Sequence, residues 1–186
     1  MFVPNPEFDA FYNAWRRLPR RAHDLLPSRS DVGPDTFPGL LPFMALTEML
    51  GPCYLHIFYA GSGFERNAGL PIADQNYYDL LPLEFHKPMA KFHEILLETP
   101  CGAEVSDIIV TSQGSRYLHE TMQLPLVDDD GDVRFLMAYG LGRKPFEDAS
   151  SRTRESHSPG NIKELHYLDI GAGAPSARIE DFIFHR

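Results

Sequence analysis

Apolar residues recur along this chain with two different periods, and the switch between them marks its elements. Phe8, Phe11, Trp15 and Leu18 recur at intervals of three and four, predicting an amphipathic helix over residues 7–18 that Pro19 ends. Residues 22–42, rich in Pro, Ser, Asp and Gly, read as an ordered connector with a short turn at residues 35–41. From Phe43 the period falls to two. Residues 43–49 and 53–60 form a hairpin around Gly51-Pro52. Leu55, Ile57 and Tyr59 fall on one side of its second strand and Tyr54 and Phe58 on the other, so a strand covered on both faces is expected. Gly61, Gly63, Gly69 and Pro71 then break residues 61–81 into short pieces. Pro82 opens a helical region with Met89, Phe92, Ile95 and Leu96 on one face. It ends near Glu98, ahead of Pro100, and Pro88 either kinks it or begins its second half. Residues 103–111 are a third strand run.

The longest alternating stretch is residues 115–142. Leu118, Glu120, Met122, Leu124 and Leu126 share one side, and Tyr117, His119, Thr121 and Gln123 the other. After the turn Asp128-Asp129-Asp130-Gly131-Asp132, Val133, Phe135, Met137 and Tyr139 alternate with Arg134, Leu136, Ala138 and Gly140. Two strands, a block of short helices, a longer helix and three strands predict an α+β domain: an antiparallel sheet with helices on one face, enclosing a concavity. Residues 146–161 are polar and read as a linker. Residues 162–170 and 179–184 regain apolar side chains and are expected to lie back on the domain or on a second copy, as strand or helix. The expected division is an N-terminal helix and connector (1–36), a domain (37–145), and a linker with a C-terminal extension (146–186).

Composition narrows the function. A hydrophobic fraction of 43% with 12% aromatics supports a packed core. A net charge of −9 argues against binding nucleic acid or an anionic membrane surface, which need clustered cations. Two cysteines are too few for a disulfide framework, and the first residues lack a signal-peptide pattern, so a soluble cytoplasmic protein is expected.

Several short patterns, taken in order, resemble the short single-domain bacterial PAS proteins. They are Trp15 with Arg20-Arg21, Leu40-Leu41-Pro42 before the first strand, Tyr59-Ala60-Gly61-Ser62 leaving the second, and Gly69. The most specific is Glu120 followed by Leu124-Pro125-Leu126 and an acidic turn. The resemblance covers residues 10–143. It implies a five-stranded antiparallel sheet of order 2-1-5-4-3 with helices across one face. It also implies a non-enzymatic sensory or interaction role, with output through a partner signalling protein. A homodimer through the N-terminal helix is expected.

The candidate ligand-binding residues are Tyr54, Phe58, Tyr77, Phe92, His93, Leu118, Met122 and Tyr139, a set suited to a mostly apolar small ligand with one or two polar handles. No cofactor is assigned. In some PAS sensors a helical histidine ligates haem, which makes His93 the candidate for a haem or cofactor site; otherwise it is a core histidine bonded to a carbonyl. A third reading is a small acid–base enzyme using Glu120 with His93 or His119; otherwise Glu120 bonds Arg134 or a tyrosine across the hairpin. His86 and His93 are not at the spacing of helical zinc ligands. Cys53 and Cys101 read as small hydrophobes. Residues 128–132 lack the glycine and distal glutamate of a calcium loop. Residues 171–175 lack the strand–helix context of a dinucleotide fingerprint and read as a turn. No motif of hydrolytic catalysis occurs.

Overall fold

The computed structural model of the chain describes residues 5–110, 116–142, 144–145 and 162–176. The expected linker at 146–161 and apolar segment at 179–184 lie outside the described residues. A 3₁₀ turn at Pro6–Phe8 leads into helix α1 (Asp9–Arg17). Strands β1 (Met44–Gly51) and β2 (Tyr54–Ala60) form the first hairpin. Helix α2 (Ser62–Ala68), the two-residue strand β3 (Gln75–Asn76), two 3₁₀ turns and helix α3 (His86–Glu98) follow. Then come β4 (Gly102–Val110), β5 (Arg116–Val127), β6 (Val133–Gly140), the short β7 (Lys144–Pro145) and β8 (Ile162–Leu168).

All the described strands join one antiparallel sheet of order β3-β2-β1-β6-β5-β4-β8, with β7 pairing β5. Its central five, β2-β1-β6-β5-β4, carry the expected order 2-1-5-4-3. The sheet is wider than the expected five strands: β3 extends one edge and β8, the first apolar segment of the C-terminal extension, the other. Alternation made the core strands readable, whereas β8 is recruited by pairing with β4 from Gly102↔Leu168 to Asp107↔Ile162.

The sheet is covered on both faces. On the outer face α1 buries Phe8, Phe11, Trp15 and Leu18 against Met44, Met122, Leu124, Leu126 and Met137. The amphipathic stripe thus docks the helix on its own domain. Trp15 fixes it there, its indole N–H donating to the Pro125 carbonyl at 3.2 Å. Arg20 lies 4.6 Å over the Trp15 ring and donates to the carbonyls of Trp15, Arg16, Leu18 and Leu25, closing the helix end that Pro19 interrupts. On the inner face α3 buries Phe92 and Leu96 against Leu55, Ala103, Leu136 and Leu165. Pro88 stands in the first turn of α3, where a missing N–H leaves no bond unmade, so the helix runs on through Glu98.

Local chemistry sets the joints. Gly61 ends β2 where a Cβ would stand 2.2 Å from the Leu41 carbonyl oxygen, so only glycine lets the strand exit pass the preceding turn. Gly69 closes α2 at φ 84°. In the acidic turn, Asp128 accepts the N–H groups of Asp130 and Asp132, and Asp129 accepts the hydroxyls of Ser28 and Ser30. These bonds tie the hairpin tip to the connector.

Candidate functional site

Register places opposite residues on the same side of the sheet. On the inner face this paves the area beneath α2 and α3 with small side chains. Ala45 lies opposite Ala60 and Ala138, Ala138 opposite Gln123, Gln123 opposite Ala103, and Gly140 opposite Thr121. At the β5 end of this floor stands His119, directly opposite Asp107 on β4, with its Nδ1 3.3 Å from the Asp107 carboxylate. The His119 ring meets Phe64 of α2 edge to face at 6.2 Å. A Cβ on Gly140 would come within 3.2 Å of both His119 Nε2 and the Phe64 ring, so the glycine makes room for this contact. Asn67 anchors α2 over the site by donating to the Leu141 carbonyl at 2.8 Å.

His119 is 8% exposed, and among the described residues its Nε2 is buried without a hydrogen-bond partner. A neutral ring that keeps its proton on Nδ1, the nitrogen facing the Asp107 carboxylate, offers Nε2 as an acceptor; a ring protonated on both nitrogens presents an N–H there. Either form asks for a polar atom from outside the chain's described part, because a buried polar group without a bond is costly.

Beside this pair lies an aromatic cluster. The Tyr78 hydroxyl and His93 Nδ1 are hydrogen bonded at 2.8 Å, and the Tyr77 and Tyr78 rings stand edge-on to His93 at 5.3 and 5.7 Å. Burial pushes the His93 imidazole down to about 3, so it is neutral at physiological pH. Burial, then the charge of Asp107, pushes the Tyr77 phenol above its ordinary range.

A hollow of about 170 Å³ opens on the outer face between Asn5, Phe8, Glu104, Ser106, Glu120, Glu164 and His166. The Asn5 N–H sits 3.2 and 3.3 Å from the two Glu104 oxygens, and its amide donates to Glu120 at 3.4 Å. Burial, outweighing the Asn5 bond and reinforced by Glu120 and Asp9, pushes the Glu104 carboxyl up to about 7.

The eight residues picked from the sequence do not come together. Tyr77, Phe92 and His93 share the inner side. Phe58, Met122 and Tyr139 belong to the outer core beneath α1, and Leu118 shares the Met122 side by alternation. Tyr54 is 47% exposed at the hairpin end. Phe58 and Tyr59 both pack outward because the register between β1 and β2 shifts at Leu46/Thr47. Glu120 is not across from Arg134: it faces Ser106, while Arg134 meets Glu48 at 3.4 Å and Asp128 at 3.3 Å. It is also on the opposite face from His119 and His93, so the acid–base arrangement does not assemble. His93 is bonded to a phenol rather than a carbonyl. Its ring, boxed by Tyr77, Tyr78 and Phe92, leaves no flank for a macrocycle among the described residues, so it does not fit a haem ligand. The described residues contain no group of three or more metal-ligating side chains. Asp107, Phe64 and Gly140 were missed; the alternation of β4 and β5 would have paired Asp107 with His119 only once their register was known.

An antiparallel sheet with this central order and one face crossed by short helices is an α+β architecture of the PAS type. The sequence model of a PAS-domain family matches residues 4–139, and the chain belongs to that family. Similar solved structures include VqmA bound to DPO, at 18% identity over 52% of this chain and 50% of that one, with a TM-score of 0.39. They also include a light-oxygen-voltage domain with a flavin analogue (18%, 54% and 76%, 0.41). A variant of Vivid matches too (14%, 68% and 92%, 0.43). The chain spans about half the length of VqmA. No curated protein matches the chain.

Proposed function

We propose that this PAS domain is a non-enzymatic sensory module of the bacterial cytoplasm that holds a small molecule against the inner sheet face, with His119 as its polar anchor. The observation that carries this reading is the buried Nε2 of His119, without a described partner, set at a floor of alanine and glycine and beneath Phe64. The ligand is small and largely apolar or aromatic, with one hydrogen-bonding atom directed at the imidazole. Asp107 holds the ring's tautomer from behind. Occupancy is signalled to a partner protein through the outer face, because β6 carries Gly140 toward the site and Tyr139 toward α1.

The test is a thermal-shift titration with fractionated small-molecule extracts of the natural host. An active fraction raises the melting temperature of the wild-type chain and leaves His119→Leu unmoved. No active fraction, or an equal shift in both proteins, contradicts the reading.

A further inference from the structure

A line across the five central strands on the inner face passes through Ala60, Ala45, Ala138, Gln123 and Ala103, each paired with the next. Four are alanine, and the fifth is a glutamine. Helix α3 covers the Ala103 end through Phe92 and Leu96. Helix α2 stands over Gly140, the next inner-face residue of β6 after Ala138, through Phe64. Strand β6 is the middle of the sheet order and β5 lies beside it, so residues there are expected to be sealed beneath the helices. Ala138 and Gln123 are instead only half-buried, which leaves an opening between α2 and α3 above them. Among the described residues the Gln123 carboxamide makes no hydrogen bond, although an amide set among alanines gains from one.

We propose that Gln123 selects a neutral amide, a carboxamide or lactam carried on a flat ring, as the second polar group of the ligand held by His119; this rests on the inner face being a ligand site. A glutamine side chain offers a carbonyl acceptor and an N–H donor side by side. A group that satisfies both at once presents its own N–H and C=O along one edge, as an amide does. A ketone or ether satisfies only the donor. A carboxylate also leaves the glutamine oxygen without a donor, and Asp107 on the same face opposes a second anion. The alanines give the ring its floor, one methyl per strand at a spacing of about 4.8 Å, with no larger side chain to lift it. Gln123 lies four residues from His119 on the same side of β5, about 14 Å along the strand, so the two side chains hold opposite ends of the ligand. Between them Thr121 faces Gly140, and neither strand raises a large side chain in the ligand's path.

The test is a titration of the full chain with benzamide, benzoate and benzamidine, followed by nuclear magnetic resonance of the glutamine side-chain amides. Benzamide is expected to bind with saturation and to move the Gln123 amide signal, while benzoate does not. Gln123→Leu should weaken benzamide roughly tenfold, the worth of one lost hydrogen bond of the stronger kind. Gln123→Glu keeps the shape and should turn the preference to benzamidine, a change that a merely structural glutamine would not produce. It also carries the test if the leucine variant does not fold. Benzoate bound as well as benzamide, no binding of benzamide, or a Gln123→Glu chain with unaltered preference overturns the proposal. The failure of the underlying site reads differently. A host fraction that stabilises wild type and Gln123→Leu alike, but not His119→Leu, keeps the inner-face site and removes the amide assignment. Benzamide binding that needs Gln123, with no host fraction that needs His119, keeps the assignment and removes His119 as the anchor.

Discussion

The ring of Phe11 stacks on that of Tyr139 with centroids 5.2 Å apart and an interplanar angle of 23°, while the next residue, Gly140, backs onto His119 on the other face of the sheet. Consecutive residues of a strand point to opposite faces, so one peptide unit of β6 touches both the candidate ligand site and the N-terminal helix. Phe8 and Phe43 meet the same Tyr139 ring edge-on at 6.4 and 6.3 Å. A shift of β6 under an occupied site is therefore felt by α1. Phe11→Ala should cost about 3–5 kcal/mol by urea denaturation, as expected for a fully buried phenylalanine. The milder Phe11→Leu should retain the fold yet uncouple α1, so that ligand no longer slows hydrogen exchange there.

Removing the His119 imidazole should separate binding from stability. His119→Leu deletes a buried nitrogen without a described partner, so the unliganded protein should be no less stable, and more stable by about 1–3 kcal/mol if the leucine fills the space. Gly140→Ala should push against His119 and Phe64 and lower both stability and ligand uptake, by about 1–3 kcal/mol in stability. Calorimetry of the two variants distinguishes these outcomes.

Arg20 is predicted to be irreplaceable by lysine. Its guanidinium spans several carbonyls at the end of α1 and lies over Trp15, a geometry that a point-charge ammonium does not reproduce. Arg20→Lys and Arg20→Ala should each destabilise the chain by about 1–2 kcal/mol, and both less than Trp15→Ala. Chemical denaturation followed by far-UV circular dichroism measures all three.

The pH dependence of stability should contain two opposing parts. Glu104 is raised in the folded chain to about 7, so its contribution is full below the ordinary carboxyl value and is lost as pH rises through 7. His93 is depressed to about 3, so its contribution is full above the ordinary imidazole value and is lost as pH falls from there toward 3. Between the two ordinary values the slopes oppose, each approaching about 1.4 kcal/mol per pH unit. The wild type should therefore be nearly flat in that window. Glu104→Gln should make stability rise with pH, and His93→Phe should make it fall. Melting curves across the range check both signs.

Much of this architecture is legible in the alternation of residues 44–60 and 116–140, where period-two patterns mark strands and Gly61, Gly69 and Gly131 mark their joints. The site is less so. Both faces of β5 and β6 carry apolar residues, since α1 covers one and α3 the other, and alternation alone does not say which face belongs to which helix. Met122 and Tyr139 consequently turn up beneath α1. The Asp107–His119 pair depends on cross-strand register, and the outward turn of both Phe58 and Tyr59 on a register shift; neither leaves a mark in a single sequence. Strand β8 escaped assignment because its seven residues mix charged and apolar side chains and take their conformation from the β4 edge.

The most direct test of an occupied inner face is native mass spectrometry of the chain purified from its natural host, alongside His119→Leu prepared in the same way. The account predicts added mass on the wild type that leaves on denaturation and is absent from the variant. Bare wild-type chain, or the same added mass on both proteins, would contradict it.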